Sequence, residues 1–431
     1  MKKNKVLAAL SVIVMSCVSL CLGCSGPIVG PITENRLRRA DRYVLSDYVA
    51  VIPFSVTPAS TRKVQYLAFI REDGSYKLMK TGRMLTMRPY WDENGLYFGD
   101  EDKDYHIDWS GKITTWENPK KDPLNSAVAR DADGWIVNAY DNGINPDGSN
   151  AVTMTFRKGD AVENREMTFG DGPVTLMASC ASGIYTVSEP AENGDGNAIL
   201  NLRRFRKPDH ITMKKAGKQF MGRGYDERTG RYTYGNALAL WGEYPPPCNN
   251  DVIHYITSMP VQKLYGIDEE FDWKRFLVTM NTWNVQTGEV TTIPVRNRVG
   301  EPFYDSADAG FNASVSDLQS LRGDELLTVD ESTGQVIAVN IHTGVCREVV
   351  KASVPDKSPR WGRCYMNTGK GSFSVIVVPG TDRFRKTITI SRYSRDDGHL
   401  LQSIKVNDSL TLPFTEGYLS SAPATNPRIL E

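Results

Sequence analysis

From Tyr43 onward, apolar and β-branched residues come in runs of five to eight, and Gly, Asp, Asn and Pro separate the runs. No long helix can be drawn through them, so the pattern predicts an all-β body. Residues 325–350 show it most sharply. Leu326-Leu327-Thr328-Val329 leads to a turn at Ser332-Thr333-Gly334, then Val336-Ile337-Ala338-Val339, a turn at His342-Thr343-Gly344, and Val345 to Val350. Three adjacent antiparallel strands follow, because glycine supplies the positive φ that such tight connections need.

This phrase recurs. A first turn before an apolar strand stands at Asn94-Gly95, Asp133-Gly134, Ser182-Gly183, Thr229-Gly230, Arg322-Gly323 and Lys370-Gly371. A later turn stands at Asp73-Gly74, Ser110-Gly111, Lys158-Gly159, Lys207-Pro208, Thr287-Gly288, Thr343-Gly344 and Asp397-Gly398. The first turns are 39, 49, 47, 93 and 48 residues apart, mostly within the ~40–50-residue repeat of four-stranded propeller blades. The expectation is a β-propeller of about seven four-stranded blades over residues 43–420, with inner strands following the first turns. Eight blades or two tandem β-sandwiches would give a related rhythm. A ring must close by pairing its ends, and Tyr43 to Phe54 with Thr411 to Leu419 are the candidates. Residues 421–431 read as a C-terminal tail.

The first forty residues follow another pattern. Lys2, Lys3 and Lys5 precede an apolar run from Val6 to Leu22, and Gly23-Cys24-Ser25-Gly26-Pro27 ends it. Basic, apolar and small segments in that order make a secretory signal. Leu20-Cys21-Leu22-Gly23-Cys24 resembles the lipobox of bacterial lipoproteins, although Cys21 stands where leucine is commonest. The resemblance implies removal of residues 1–23, lipidation of Cys24, residues 24–42 as a tether, and a body held at the extracytoplasmic face of a membrane. An uncleaved signal anchor is the alternative, since the run is a little short of the roughly 20 residues of a spanning helix. Both place the body outside.

Composition changes the picture in two ways. Without residues 1–23 the chain has 48 basic and 51 acidic residues, a net charge of −3. No polyanion-binding field follows, and no nucleic-acid partner is expected. Besides Cys17, Cys21 and Cys24, the cysteines are Cys180, Cys248, Cys346 and Cys364. An oxidising compartment permits disulfides among these four in any of three connectivities, with the sequence-close pair Cys346 and Cys364 one option and four buried thiols another.

Trp283-Asn284-Val285-Gln286-Thr287-Gly288-Glu289-Val290 and Val339-Asn340-Ile341-His342-Thr343-Gly344-Val345 resemble the strand-turn-strand phrase of quinoprotein-like propeller repeats. The family's tryptophan four residues past the glycine is Thr292 in one and Glu348 in the other. The resemblance supports the architecture and implies no activity.

Chemistry-bearing motifs are sparse. There is no G-x-S-x-G elbow, H-E-x-x-H or phosphate loop, no cofactor or metal is expected, and catalytic residues are not identifiable from the sequence. Asp102, Asp104 and His106 alternate and would share one face of a strand, as a metal or acid-base site requires, although acid-rich strands are usually solvated. Gly143 to Gly148 resembles part of a calcium loop, yet Gly143 and Met154 occupy ligand positions that need acids, which favours a hairpin. Asp131-Ala132-Asp133-Gly134-Trp135 resembles the aspartate box of sialidase propellers, itself a structural turn, and His342 beside a hairpin glycine reads as structural.

The 93-residue interval between Gly230 and Gly323 suggests an insertion at residues 241–273. It concentrates Trp241, Tyr244, His254, Tyr255, Tyr265 and Trp273 among carboxylates. Such rings suit a protein, peptide or glycan partner if exposed, and otherwise pack the insertion onto a blade. The functional expectation is a membrane-anchored binding or scaffold module. The alternative is a propeller hydrolase or lyase acting on glycans or peptides, with carboxylates gathered at the central channel.

Overall fold

A computed structural model describes residues 42–55, 65–83, 87–120, 124–147, 149–159, 161–169, 174–192, 198–205, 214–221, 223–226, 231–234, 245–260, 276–305, 313–315, 319–331, 333–352, 363–378, 387–406 and 422–431. Among the described residues the body is all-β. Helix among them is confined to two short 3-10 turns, and no described helix is long and apolar enough to cross a membrane.

Among the described residues the strands form seven antiparallel sheets of four or five strands and one separate hairpin. In chain order, sheet 1 holds Ala50–Ser55, Gln65–Ile70 and Tyr76–Thr81. Sheet 2 holds Tyr90–Asp92, Gly95–Gly99, Lys103–Ile107 and Ile113–Glu117. Sheet 3 holds Leu124–Arg130, Ile136–Ile144, Asn150–Lys158 and Ala161–Phe169, and sheet 4 holds Val174–Cys180, Gly183–Glu192, Ala198–Phe205 and Lys214–Met221. The hairpin Arg223–Asp226 with Arg231–Tyr234 comes next. Sheet 5 holds Cys248–Asn249, Val252–Pro260, Phe276–Asn284 and Val290–Pro294, with Tyr304–Asp305 added. Sheet 6 is built on Ala313–Val315, Glu325–Asp330, Gln335–Asn340 and Cys346–Lys351, and Leu321–Arg322 also pairs with it. Arg363–Thr368, Ser372–Val378, Thr389–Ser394 and Leu400–Lys405 make sheet 7.

These sheets are propeller blades, because each buries its faces on its neighbours. Phe69 packs with Phe98 between sheets 1 and 2, Tyr97 with Val128 between 2 and 3, and Met154 with Met177 between 3 and 4. Val278 packs with Ile337 between 5 and 6, Val329 with Val375 between 6 and 7, and Tyr365 with Ala50 between 7 and 1. Between sheets 4 and 5 a disulfide joins Cys180 to Cys248.

Ring closure follows the expected logic with a different C-terminal strand. Val51 pairs with Ala424 and Ala50 with Thr425, so Ala424–Thr425 supplies the innermost strand of sheet 1. Thr411 to Leu419 lie outside the described residues. The segment read as a tail, residues 421–431, therefore holds the closing strand, and beyond it Asn426 caps a 3-10 turn and donates to the carbonyls of Leu45 and Tyr48.

Two further expectations are corrected. The described first turns follow the innermost strands: Asn94-Gly95 connects Tyr90–Asp92 to Gly95–Gly99, so the strand after such a turn is the second of its blade. Residues 248–260 are not inserted, because Cys248–Asn249 and Val252–Pro260 are the first two strands of sheet 5. Their turn is Asn250-Asp251, at φ +50° and +60°, and Gly230 lies outside the described residues.

Among the described residues the later turns lie between the third and fourth strands of the blades, and some of their glycines meet the next blade. A Cβ on Gly398, at φ +72°, would fall on the carbonyl oxygen of Val349 in sheet 6. Gly159, at φ +56°, has nothing within 4 Å. Gly398→Ala is expected to destabilise the protein by about 2–5 kcal/mol, from left-handed strain plus overpacking. Gly159→Ala should cost about 1–2 kcal/mol from the strain alone. Denaturant midpoints measure both, and equal costs would contradict the blade contact.

Candidate binding site at the channel mouth

The innermost strands converge on a cavity of about 350 Å³ at one end of the central channel. Its wall takes residues from around the whole ring: Tyr90, Trp91 and Asp92 of sheet 2, Arg130 of sheet 3, Ser179 of sheet 4, Asn367 and Thr368 of sheet 7, and Ala424 and Thr425 of sheet 1. Pro245, just before sheet 5, and Gln319, between the strands Ala313–Val315 and Leu321–Arg322 of sheet 6, complete the circuit, and Pro427 and Leu430 reach in from the C-terminal turn.

Charge concentrates where sheets 2 and 3 meet. Arg130 Nε lies 2.6 Å from Asp92 Oδ2, and its Nη1 lies 3.7 Å from Glu93 Oε1. The other oxygen of the buried Asp92 carboxylate accepts the backbone N–H of Asn94 at 2.8 Å. Burial pushes the Asp92 carboxyl up to about 6 despite Arg130. Burial also raises Asp131, whose Oδ1 accepts the Trp135 backbone N–H at 2.7 Å. Beside them, Trp109 donates from Nε1 to the Glu93 carbonyl at 2.7 Å and packs 6.1 Å from Trp91, centroid to centroid. The Arg428 guanidinium lies 3.6 Å over the Trp109 ring.

Sequence-selected residues are distributed as follows. Asp104 is buried between sheets 2 and 3, where it accepts from Arg157 (2.5 Å), Asn118 (2.8 Å) and Tyr140 (2.9 Å), with Lys120 Nζ at 3.2 Å. His106 stacks on Tyr97 and bonds the Asn94 carbonyl, while Asp102 donates its backbone N–H to Asp100. The trio thus does not share a ligand face: Asp104 packs between the blades, while His106 and Asp102 have partners within sheet 2. Asp131 to Trp135 and Asn145 to Ser149 close hairpin turns, the latter with Asp147 accepting from Ser149. His342 sits in its turn with Nε2 3.3 Å from exposed Asp324.

Of the aromatic partner-binding set, His254 and Tyr255 are 5% and 2% exposed within sheet 5 and present no ring to solvent. Trp241, Tyr244, Tyr265 and Trp273 lie outside the described residues, as does Cys24. Cys180, Cys248 and Asp251 come together, but the two sulfurs are bonded to each other and Asp251 accepts from Ser182 and Gln286. Cys346 and Cys364 are buried free thiols, raised by burial to about 11 and about 12. The sequence reading missed the pairing of Asp92 with Arg130. The only available signal was their adjacency to the first turns at Gly95 and Gly134.

Two buried groups give opposite pH dependences. Asp92 titrates at about 6 folded, against 3.8 for an ordinary aspartate, so the folded protein holds more protons between these values and loses stability as pH rises through them. Burial, with a smaller contribution from His342, lowers His254 to about 4, so stability falls as pH drops from 6.5 toward 4. Relative to the parent protein, the urea midpoint of Asp92→Asn should rise as pH rises across its window. That of His254→Gln should rise as pH falls across its own. Parallel curves would contradict both assignments.

No protein-family model matches the chain, and no curated protein sequence matches it. Solved structures with a similar arrangement include the WD40 domain of Neurospora crassa Pan2 (TM-score 0.39, 10% identity, covering 75% of this chain and 85% of that one). Another is a catalytically inactive virginiamycin B lyase from Staphylococcus aureus with quinupristin (TM-score 0.36, 11% identity, covering 78% and 94%). A Synechocystis ACO variant is similar at a TM-score of 0.43 with 10% identity, covering 84% and 91%. The propeller assignment rests on the strand pairing of this chain and takes nothing from these values.

Proposed function

We propose that this protein is a lipid-anchored, extracytoplasmic β-propeller that binds a protein, peptide or glycan partner at the channel mouth. The observation that carries this reading is the cavity of about 350 Å³ where the inner strands converge, walled by Tyr90 and Trp91 and charged by Asp92, Glu93, Arg130 and Asp131. Rigid strands fix these groups in advance, which lowers the ordering cost of binding. The signal-like N-terminus and Gly23-Cys24 support the anchor. The Cys180–Cys248 disulfide supports an oxidising compartment. The segment with Trp241 and Tyr244 leads in sequence into Pro245, a wall residue, and stays a candidate contact.

The runner-up, a propeller hydrolase or lyase, would draw on the same carboxylates. Against it, Asp92 is buried and ion-paired to Arg130, whereas a proton donor must reach its substrate. Mass spectrometry of the mature N-terminus tests the anchor. The expected species begins with acylated Cys24, and Cys24→Ser should leave the membrane fraction. An unmodified Cys24 or an intact Met1 refutes it.

A further inference from the structure

We propose that Cys180, Cys248 and Asp251 form a redox-switched metal site. Once their disulfide is reduced, the three side chains bind one thiophilic divalent cation such as zinc. The inference does not depend on the proposed function.

Three observations carry it. First, the two sulfurs and a carboxylate oxygen of Asp251 all lie within 4.8 Å of one another. After small side-chain rotations, donors that close can share one ion at the ~2.0–2.3 Å of zinc–oxygen and zinc–sulfur bonds. Two thiolates with one carboxylate favour such an ion over magnesium or calcium, which take oxygen ligands. Second, the ligands stand on the blades themselves. Cys180 ends the innermost strand of sheet 4, Cys248 begins that of sheet 5, and Asp251 holds the turn that follows. Asp251 is oriented by the Ser182 N–H at 3.0 Å, the Ser182 hydroxyl at 2.8 Å and the Gln286 amide at 2.8 Å, as outer partners orient ligating carboxylates. Third, Cys180 is buried but Cys248 and Asp251 are half-buried, so the site is approached from the sheet 5 side.

The switch balances with a dithiol as reductant. Its thiolate attacks Cys248 Sγ, and the S–S bond breaks with its electron pair on Cys180. The second thiolate of the reductant then displaces Cys248, and the reductant leaves as its own disulfide, two electrons having passed to the cysteine pair. The incoming ion replaces the thiol protons, so binding releases protons and strengthens as pH rises. Disulfide and ion join the same two strands, which keeps sheets 4 and 5 cross-linked in either state. No metal-binding spacing announces the site, because its cysteines stand 68 residues apart.

The test uses the full-length protein in detergent, treated with dithiothreitol under native conditions, desalted without oxygen and titrated with cobalt(II). One equivalent should give thiolate-to-cobalt charge-transfer absorption that zinc abolishes, and the oxidised protein should give none. Cys180→Ser/Cys248→Ser should show no band although Cys346 and Cys364 remain. Asp251→Asn, which keeps a residue that tolerates this turn, should bind cobalt at least about tenfold more weakly. Zinc should also raise the melting temperature of the reduced protein, or restore its β-sheet circular dichroism if reduction unfolds it, and do neither for the double serine variant. A disulfide that resists dithiothreitol until the protein is denatured overturns the proposal. So does a reduced protein with neither a cobalt band nor a response to zinc, or an equal band in the double serine variant. Unchanged affinity in Asp251→Asn overturns the three-ligand site.

Discussion

Asp104→Ala is expected to destabilise the protein by about 3–5 kcal/mol, the cost of breaking a buried ion pair from one side. Asp104 is 3% exposed and holds Lys120 and Arg157, whose side chains are 0% and 1% exposed. Without the carboxylate two cations remain in a site closed to water. Lys120 would keep the carbonyls of Asp100 and Asn118, and Arg157 those of Phe156 and Glu163, so hydrogen bonding survives while charge balance does not. Asp104→Asn, which preserves shape, should cost less. Lys120→Met added to Asp104→Ala should recover part of the loss by removing one unpaired charge. Urea unfolding of the four proteins decides it, and a loss under about 1 kcal/mol for Asp104→Ala would mean that the network contributes nothing net.

Removing the Cys180–Cys248 bond by a double change to serine is expected to cost about 4 kcal/mol, from the loop-closure entropy of its 68-residue separation. This bond joins the innermost strands of sheets 4 and 5, next to Ser179 and near Pro245 in the mouth wall. The variant should therefore also loosen the cavity. Cys346 and Cys364 should stay unlabelled by alkylating reagent until the protein unfolds, since their burial holds both thiols protonated. Peptide mapping that finds Cys346 joined to Cys364 would contradict the assignment.

Much of the architecture was legible because the signals were local. The later turns sit on the third-to-fourth strand connections, and the phrase Asn-x-x-Thr-Gly has a physical meaning: Asn284 Oδ1 accepts the N–H groups of Gln286 and Thr287, and Asn340 Oδ1 those of His342 and Thr343. The misplaced insertion arose because the turn of sheet 5 uses Asn250 and Asp251, which tolerate positive φ without glycine. The closing strand was missed because Ala424–Thr425 is two residues long and carries no periodicity.

The site was less legible because its contacts are distant in sequence. Asp104 and Arg157 are separated by 53 residues, and the mouth draws its wall from residues 89 to 430. Alternation on one strand suggested that Asp102, Asp104 and His106 act together. Packing against sheet 3 gives Asp104 its partners, while those of His106 lie within sheet 2. Exposure could not be read from composition either, which is why Tyr255, fully enclosed in sheet 5, looked like a contact residue.

The most direct test of the binding account places a photo-cross-linking amino acid at Ala132, in the mouth wall, and in a second protein at Val162, 43% exposed on the outermost strand of sheet 3. Both are irradiated in intact cell envelopes and the adducts identified by mass spectrometry. The account predicts one defined adduct from Ala132 that is absent from Val162 and is competed away by excess unlabelled protein. Adducts from Val162 alone, or the same uncompeted set from both positions, would contradict it.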